Sequence, residues 1–131
     1  MAKKSLIIIA ALILAFLLGG CAQEMVPYED TSDGVHVHKI SNSYDLLNAQ
    51  KYAQIQGEAG RTLHLAYTAT VSAGSLTLEL VAPDRQSLWK VSPRFSGNGQ
   101  VDLQLNQSGA YILKVYASQT SGRYEVWWNY K

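Results

Sequence analysis

The sequence predicts an all-β protein, organised as a single antiparallel β-sandwich of about seven or eight strands. Two observations favour this class. Beyond residue 60, apolar and polar side chains alternate with a period of two, which is typical of half-buried strands. Turn-forming residues interrupt the alternation roughly every ten to fourteen residues, and this spacing leaves no room for the helices of βαβ units.

Composition narrows the class further. The chain has 131 residues, 47% of them apolar, and thirteen of the apolar residues form the unbroken run 6–18. Residues 21–131 are about 42% apolar and hold twelve aromatic side chains, which is enough for the core of one ordinary soluble domain. The formal net charge of +1 includes Lys3 and Lys4 in the leader, so the remainder is close to neutral. We therefore expect no nucleic-acid partner and no electrostatic recruitment to anionic lipid.

Residues 1–20 have the pattern of a secretory signal peptide. Lys3 and Lys4 give the basic start, the run 6–18 gives the apolar segment, and two small residues follow. Thirteen helical residues span about 20 Å, which is short of the ~30 Å hydrocarbon core of a bilayer. The run is therefore predicted to direct export rather than to span a membrane durably.

The only cysteine of the chain follows directly, in Leu18-Gly19-Gly20-Cys21. This segment resembles the lipobox of bacterial lipoproteins. The resemblance implies cleavage before Cys21, a lipid with palmitate-type acyl chains on its thiol, and a place on the extracytoplasmic side of a bacterial cell membrane. Ala22 implies that sorting to the outer membrane is permitted in an organism with two membranes. The alternative is an unpaired thiol in an ordinary leader, which would be a reactive group in an exported protein.

The remaining chain divides into a tether and a domain. Residues 21–34 are polar and acidic without a helical or strand period, which predicts a flexible tether that holds the domain off the lipid surface. The sandwich is predicted to cover 35–131, with 35–40 as a first or edge strand. Residues 43–56 fit either a short helix capped by Ser43 or strands, and strands are favoured because the segment stops at a glycine.

Beyond residue 60 the predicted strands are separated by clear breaks. Pro83 stands at the favoured early position of one turn, and Pro93 closes a short strand. The predicted strands are 63–71, 76–81, 89–91, 101–106, 111–115 and 124–130. The predicted breaks between them include 72–74, 82–86, 96–99, 108–109 and 118–122.

Residues 74–89, 108–115 and 121–128 resemble the jelly-roll sandwiches of the bacterial pre-peptidase C-terminal and GOLD-like groups. In those groups a strand ends in a Pro-Asp-Gly turn and a glycine-tyrosine pair opens a late strand. The resemblance implies a jelly-roll-like accessory or interaction domain without catalytic activity. Arg85 stands where such turns carry glycine, which argues against a turn with positive φ at this position.

The last two predicted strands suggest a ligand patch. If they pair as a hairpin with Ala117 opposite Tyr124, one shared face is apolar and should point into the core. The opposite face would then carry the candidate ligand residues Trp127, Tyr116, Lys114, Glu125 and Asn129. An indole beside hydrogen-bonding groups suits a sugar-binding surface, because aromatic faces stack on pyranose C–H groups. Alternatively, the strand or tether at 35–40 covers Trp127, or the Lys114 stem lies on its ring.

Histidines and catalytic motifs give weaker signals. His36 and His38 share a face of their strand, but a metal site needs three or four ligands, and no spacing in the sequence places the nearest additions, Asp33 or His64, beside them. Two solvent-facing histidines are the favoured interpretation. The sequence has no nucleophile elbow, no His-Glu-x-x-His and no phosphate-binding glycine loop. We therefore predict no enzyme, no metal and no cofactor, although a triad from distant residues is recognised only by geometry.

These observations predict a membrane-anchored lipoprotein whose sandwich is a non-catalytic interaction or scaffolding module of the cell envelope. The expected partners are the membrane, through Cys21, and a protein or a glycan. The alternative function is a carbohydrate-binding module that uses the patch around Trp127 and Tyr116.

Overall fold

A computed structural model describes residues 22–31 and 36–131 of the chain. These residues form one seven-stranded sheet and contain no helix, which confirms the predicted all-β class. The strands are β1 (Ala22–Glu24), β2 (Tyr28–Asp30), β3 (Val37–Gly57), β4 (Thr62–Val81), β5 (Ser87–Val91), β6 (Ser96–Gln104) and β7 (Gly109–Tyr130).

Three long strands, in the order β3, β7 and β4, bend at the same level and fold the sheet onto itself. The first layer contains 37–44, 122–130 and 62–71 from these strands, with β2 and β6 at its margins. The second layer contains 47–57, 109–118 and 75–81, with β1 and β5 at its margins. The result is a sandwich whose two layers share their central strands.

The bend line is the band where all three long strands change register. β3 shifts on β7 between Tyr44 and Leu47, and β4 shifts on β7 between Val71 and Ser75. In β7 the buried positions are odd-numbered up to Ala117 and even-numbered from Thr120 onward. Because one extra residue exchanges the two faces of a strand, these bulges keep the apolar face inward in both layers.

Two glycines make the bend line possible. Gly122 has a φ of 138°, and a Cβ added there would collide with the main-chain carbonyl oxygen of Thr70. Gly74 has a φ of 71°, and a Cβ there would collide with the carbonyl oxygens of Ser118 and Gln119. Only a residue without a side chain lets the neighbouring strands approach this closely.

The core lies between the layers and draws on both. Trp128, Tyr111 and Tyr124 are its largest fully buried side chains. The Tyr67 ring of the first layer packs tilted against Trp89 of the second, with 5.8 Å between centroids. Burial raises the pKa of Tyr124 to about 12, because the interior disfavours the phenolate. This one cluster confirms that the alternating residues of the sequence line a sandwich interior.

The predicted hairpin of the last two strands is wrong. Residues 109–130 form one continuous strand, in which 118–122 make a bulged bend instead of a hairpin turn. Ala117 lies in register with Ala49 and Leu76, and Tyr124 with Asn42 and Ala69. The physical reason is that β3 and β4 bend at the same level, so β7 keeps a partner on each side through the bend.

The N-terminal residues also differ from the prediction. Residues 22–30, expected within a flexible tether, include β1 and β2, which pair with the outer edge of β3. β1 and β2 are held by main-chain hydrogen bonds to the free edge of β3, and such bonds form without alternating side chains. The sequence therefore contains no pattern that predicts these two strands. β3 therefore has neighbours on both sides instead of standing at an edge, and it includes residues 43–56 as the favoured strand. The domain boundaries at residues 20 and 34 stay predictions.

Three further predicted breaks differ from the structure. Residues 72–74, predicted to separate two strands, lie inside the continuous strand β4, because β4 bends there and stays paired with β7. The turn at 82–86 forms, with the Arg85 N–H donating to the Ala82 carbonyl oxygen at 2.9 Å, but Arg85 adopts a φ of 72°. The argument from the sequence against a positive φ at Arg85 is therefore wrong. The geometry of the turn requires a positive φ at this position, whichever residue occupies it. Residues 96–99 lie inside β6 rather than in a break. Gly99 fits a strand there because the Tyr67 ring occupies the place of a Cβ, at 2.8 Å.

Candidate functional site

The five predicted patch residues all lie on outer faces, but the bend separates them into two groups. Lys114 and Tyr116 lie in the second layer, where Lys114 is in register with Tyr52 and Glu79. Trp127 lies in the first layer, in register with Lys39 and Ala66. Glu125 and Asn129 accompany Trp127. Because both layers turn their inner faces to one core, the two groups point away from each other.

The group around Tyr116 borders a cleft of about 300 Å³ on the second layer. Its walls come from β3 and β7, and Tyr52 of β3 joins the predicted residues Lys114 and Tyr116. All three side chains are half-buried, so each offers one accessible face. Gln50, Lys51 and Ile112 complete the lining. Two phenol rings beside an ammonium group and an amide could bind a polar ligand that also has apolar faces.

The group around Trp127 is dominated by ion pairs. Lys39 pairs with Glu125, whose carboxylate also lies 3.7 Å from the Arg123 guanidinium. The Glu125 side chain is only 23% exposed, and each of its two carboxylate oxygens has a cation nearby. Trp127 is half-buried in the middle of this outer face. The predicted sugar-binding role of Glu125 would therefore compete with its ion pairs.

A third surface lies at the bend, where the link between β5 and β6 passes β4. Phe95 in this link is 81% exposed and has a φ of 63°. Its main-chain carbonyl oxygen accepts a hydrogen bond from the Val71 N–H, so the backbone is held while the ring stays in solvent. Below it, a cleft of about 520 Å³ is lined by the β4 bend, by Pro93 and by Arg94. An exposed aromatic ring on a fixed backbone is a feature of binding surfaces.

Sequence reasoning missed Phe95 because no period places it on a strand face. One signal was available: a single large apolar residue stands between Pro93 and the glycines at 97 and 99, where a polar turn residue is usual. It also missed Tyr52 as a neighbour of Tyr116, since that neighbour depends on the pairing of β3 with β7.

The three histidines make separate contacts. His36 Nδ1 lies 2.8 Å from the Glu29 carboxylate, and the His38 ring stacks on Trp128 with centroids 5.8 Å apart. His38 is thus half-buried rather than solvent-facing as predicted, because the even-numbered face of β3 turns inward here. Within the described residues, no three His, Cys, Asp or Glu side chains come close enough to hold a metal ion. Asp33 lies outside the described residues.

His64 belongs to an ionic cluster near the C-terminus. Its Nδ1 lies 2.6 Å from one Asp102 oxygen, and the Lys131 ammonium donates to the other oxygen at 2.6 Å. The hydrogen bond from Lys131, followed by that from His64, lowers the pKa of Asp102. The Lys131 N–H also donates to the Thr62 carbonyl oxygen at 3.0 Å. We interpret this cluster as structural, because its contacts hold Lys131 against β4 and β6.

The predicted signal peptide and the lipid-attachment residue Cys21 lie outside the described residues. In the part of the chain that the structure does describe, no helix has the length and apolar character to cross a bilayer.

Comparisons with known proteins give the fold. No protein-family model and no curated protein matches the sequence. Among solved structures, a periplasmic inhibitor of g-type lysozyme from Aeromonas hydrophila, PliG, is similar with a TM-score of 0.56 and 17% identity. The match covers 85% of this chain and 100% of the inhibitor.

The pre-peptidase C-terminal domain of a Bacillus anthracis collagenase is similar with a TM-score of 0.50 and 12% identity, over 86% of this chain and 96% of that domain. A carbohydrate-binding module in complex with β-1,4-galactotriose matches with a TM-score of 0.48 and 9% identity, over 73% and 70% of the two chains. The predicted resemblance to the pre-peptidase C-terminal group thus holds at the level of the fold. The similar solved structures include an inhibitor, carbohydrate-binding modules and the enzymatically active domain of a bacteriophage tailspike protein.

Proposed function

We propose that this protein is a bacterial envelope lipoprotein whose β-sandwich is a non-catalytic module that binds a protein partner outside the cytoplasm. The basic start, the apolar run 6–18 and the position of Cys21 support the anchor. Two or three acyl chains on one cysteine give stable attachment, because each buried methylene contributes about 0.8 kcal/mol.

The anchor is tested by the Cys21→Ala variant of the full chain. Mass spectrometry should detect a lipid adduct on the parent protein and none on the variant, and the variant should leave the membrane fraction. Equal membrane association of the two proteins would rule out lipidation as the means of attachment.

The exposed Phe95 is the observation that supports a protein partner. Interface energy is concentrated in a few side chains, and aromatic and arginine residues are frequent among them. Phe95 and the exposed Arg94 stand side by side on a link whose backbone is hydrogen-bonded to β4. A fixed backbone reduces the conformational entropy lost on binding. The ring projects from the surface, which suits a concave site on the partner.

A photo-crosslinking amino acid in place of Phe95 tests this surface in intact cells. We expect a discrete covalent adduct with one protein, and none when the same group replaces Leu88, which is 39% exposed on β5. With the captured partner purified, Phe95→Ala should weaken binding at least about tenfold, as expected of a central aromatic contact. Equal affinities of the parent protein and the variant would show that Phe95 does not contribute to the interface. A g-type lysozyme is the first purified partner to assay, because the similar PliG is an inhibitor of that enzyme.

Carbohydrate binding is the second candidate, and the cleft between Tyr52 and Tyr116 is the observation that favours it. Titration with envelope and storage polysaccharides, followed by calorimetry, should give binding that Tyr116→Ala abolishes. Trp127→Ala, on the opposite outer face, is the matched control and should retain it. Loss of binding only in Trp127→Ala would instead place the site on the first layer, and no heat with any glycan would exclude this function for the glycans tested.

A further inference from the structure

The start of β1 fixes the place where the proposed lipid would meet the domain. Ala22, the residue after Cys21, is in register with Gln50 of β3, and the Met25 N–H donates to the Tyr52 carbonyl oxygen at 2.7 Å. Residue 21 is therefore one position away from a strand of the sheet. If Cys21 carries acyl chains, no long spacer separates them from the second layer.

Residues 22–30 form an N-terminal strap that crosses between the layers. β1 pairs with the second layer at Gln50–Tyr52, and β2 pairs with the first layer at Val37–Lys39. Between them, Met25 packs against the core, where its sulfur accepts a hydrogen bond from the Tyr124 hydroxyl at 3.3 Å. The strap thus closes the open side of the sandwich along β3.

The strap turns two apolar side chains to solvent. Val26 is 91% exposed and Tyr28 is 68% exposed. Met25, which follows β1 directly, is instead turned inward and packs against the core. Tyr28 is seven positions after Cys21 in the sequence, and an extended chain spans at most about 3.5 Å per residue. Both side chains therefore lie within about 25 Å of the acylated residue. Tyrosine and aliphatic residues are favoured at the boundary between headgroups and acyl chains.

The charges on and beside the strap distinguish between two kinds of lipid contact, electrostatic attraction to headgroups and burial of apolar side chains. Glu24 and Glu29 are exposed, and Lys39 of the adjoining strand is paired with Glu125. Among the described residues of this edge, Lys39 and Lys51 are matched in number by Glu24 and Glu29, so there is no surplus of cations that would attract anionic headgroups. A contact made by Val26 and Tyr28 depends instead on apolar burial in the interfacial region, held in place by the covalent anchor.

We infer that the strap, with Val26 and Tyr28, rests on the lipid bilayer and that the β3 side of the sandwich faces the membrane. This inference rests on the proposed lipidation of Cys21. β4 and its neighbours β5 and β6 lie on the other side of β7, so Phe95 and its cleft point away from the lipid. The surface proposed for the protein partner is thereby displayed outward.

The test uses the full-length protein, purified in its lipidated form and reconstituted in phosphatidylcholine vesicles. Val26→Cys supplies a free thiol for an environment-sensitive fluorophore, since the Cys21 thiol is blocked by lipid. Leu88→Cys on β5 is the matched control on the opposite edge. We expect a blue-shifted emission at position 26 and quenching by headgroup-level nitroxide lipid roughly twofold stronger than at position 88. The result should be the same when anionic lipid is added.

Aqueous emission at position 26 in a protein that is lipidated and vesicle-bound would overturn the inference and leave the lipoprotein proposal intact. Absence of lipid by mass spectrometry would overturn the lipoprotein proposal itself. A concentration-dependent blue shift at position 26 in the Cys21→Ala background, without vesicles, would assign the strap to contact between protein chains and would also overturn the inference.

Discussion

The bend line and the exposed turns both require residues with positive φ, but they meet the requirement differently. At the bend line three residues have positive φ, Gly74, Gln119 and Gly122, and the main chain of a neighbouring strand occupies the space of a Cβ at the two glycines, whereas the Gln119 side chain is exposed. In the exposed segments the residues are Arg85 and Phe95, whose side chains extend into solvent. The sign of φ alone therefore does not demand glycine. Close approach of another strand does.

The largest expected effect comes from Gly122→Ala. The added methyl group would meet the Thr70 carbonyl oxygen in addition to the strain of a positive φ. We expect the free energy of unfolding to fall by about 3 kcal/mol or more, measured by urea denaturation. A variant that accumulates only as insoluble protein would agree with this expectation.

Gly60→Ala is the matched control. Gly60 has a φ of 89°, but no atom lies within 4 Å of the added Cβ. Only backbone strain applies, so the loss should be about 1 kcal/mol. Equal losses in the two variants would show that φ, and not the approach of β4 to β7, determines the requirement at the bend.

A smaller effect of opposite sign is expected for Arg85→Gly. Glycine adopts the observed φ of 72° without strain, which favours the folded state. Part of the gain is offset because glycine has more freedom in the unfolded chain. We expect a net stabilisation of up to about 1 kcal/mol in urea denaturation. A destabilised variant would mean that the Arg85 side chain makes a stabilising contact.

The smallest effect concerns the ionisable group of the same turn. The Gln86 N–H, at 3.0 Å, and the Gln107 side-chain amide, at 2.8 Å, donate to the Asp84 carboxylate and lower its pKa. A pKa lower in the folded state contributes stability above the unfolded value of about 3.9, and this contribution is lost as the pH falls through the folded pKa. Asp84→Asn should therefore be less stable than the parent at pH 7, with a smaller difference at pH 3. A difference that stays constant with pH would contradict this account.

Much of the fold follows from alternation, and the exceptions occur where strands meet. The burial of Leu63, Leu65, Leu113 and Val115 agrees with the period-two pattern. The serine, threonine and glycine residues of 118–122 predict a hairpin turn, but the same residue types also permit a bulge. Which one forms depends on β3 and β4 bending alongside β7, and a single segment of sequence does not contain that information.

The candidate site was harder to predict than the fold. The outward direction of Tyr116 and Trp127 followed correctly from alternation, since both are half-buried on outer faces. Their assignment to one patch depended on the register of a hairpin that does not form. Tyr52 and Phe95 belong to surfaces created by strand pairing and by a link between layers. Local patterns predict which way a side chain points, whereas its neighbours across a sheet require the topology.

The strap has a consequence for solubility. β3 is a 21-residue strand that pairs with β7 on one side, and on the other side it is covered at Val37–Lys39 and Gln50–Tyr52. An uncovered strand of this length would be a template for edge-to-edge polymerisation. β1 and β2 interrupt that template at two places, and the bulges between Tyr44 and Ala49 make the remainder irregular. The first residues after the cysteine thus protect the chain against self-association.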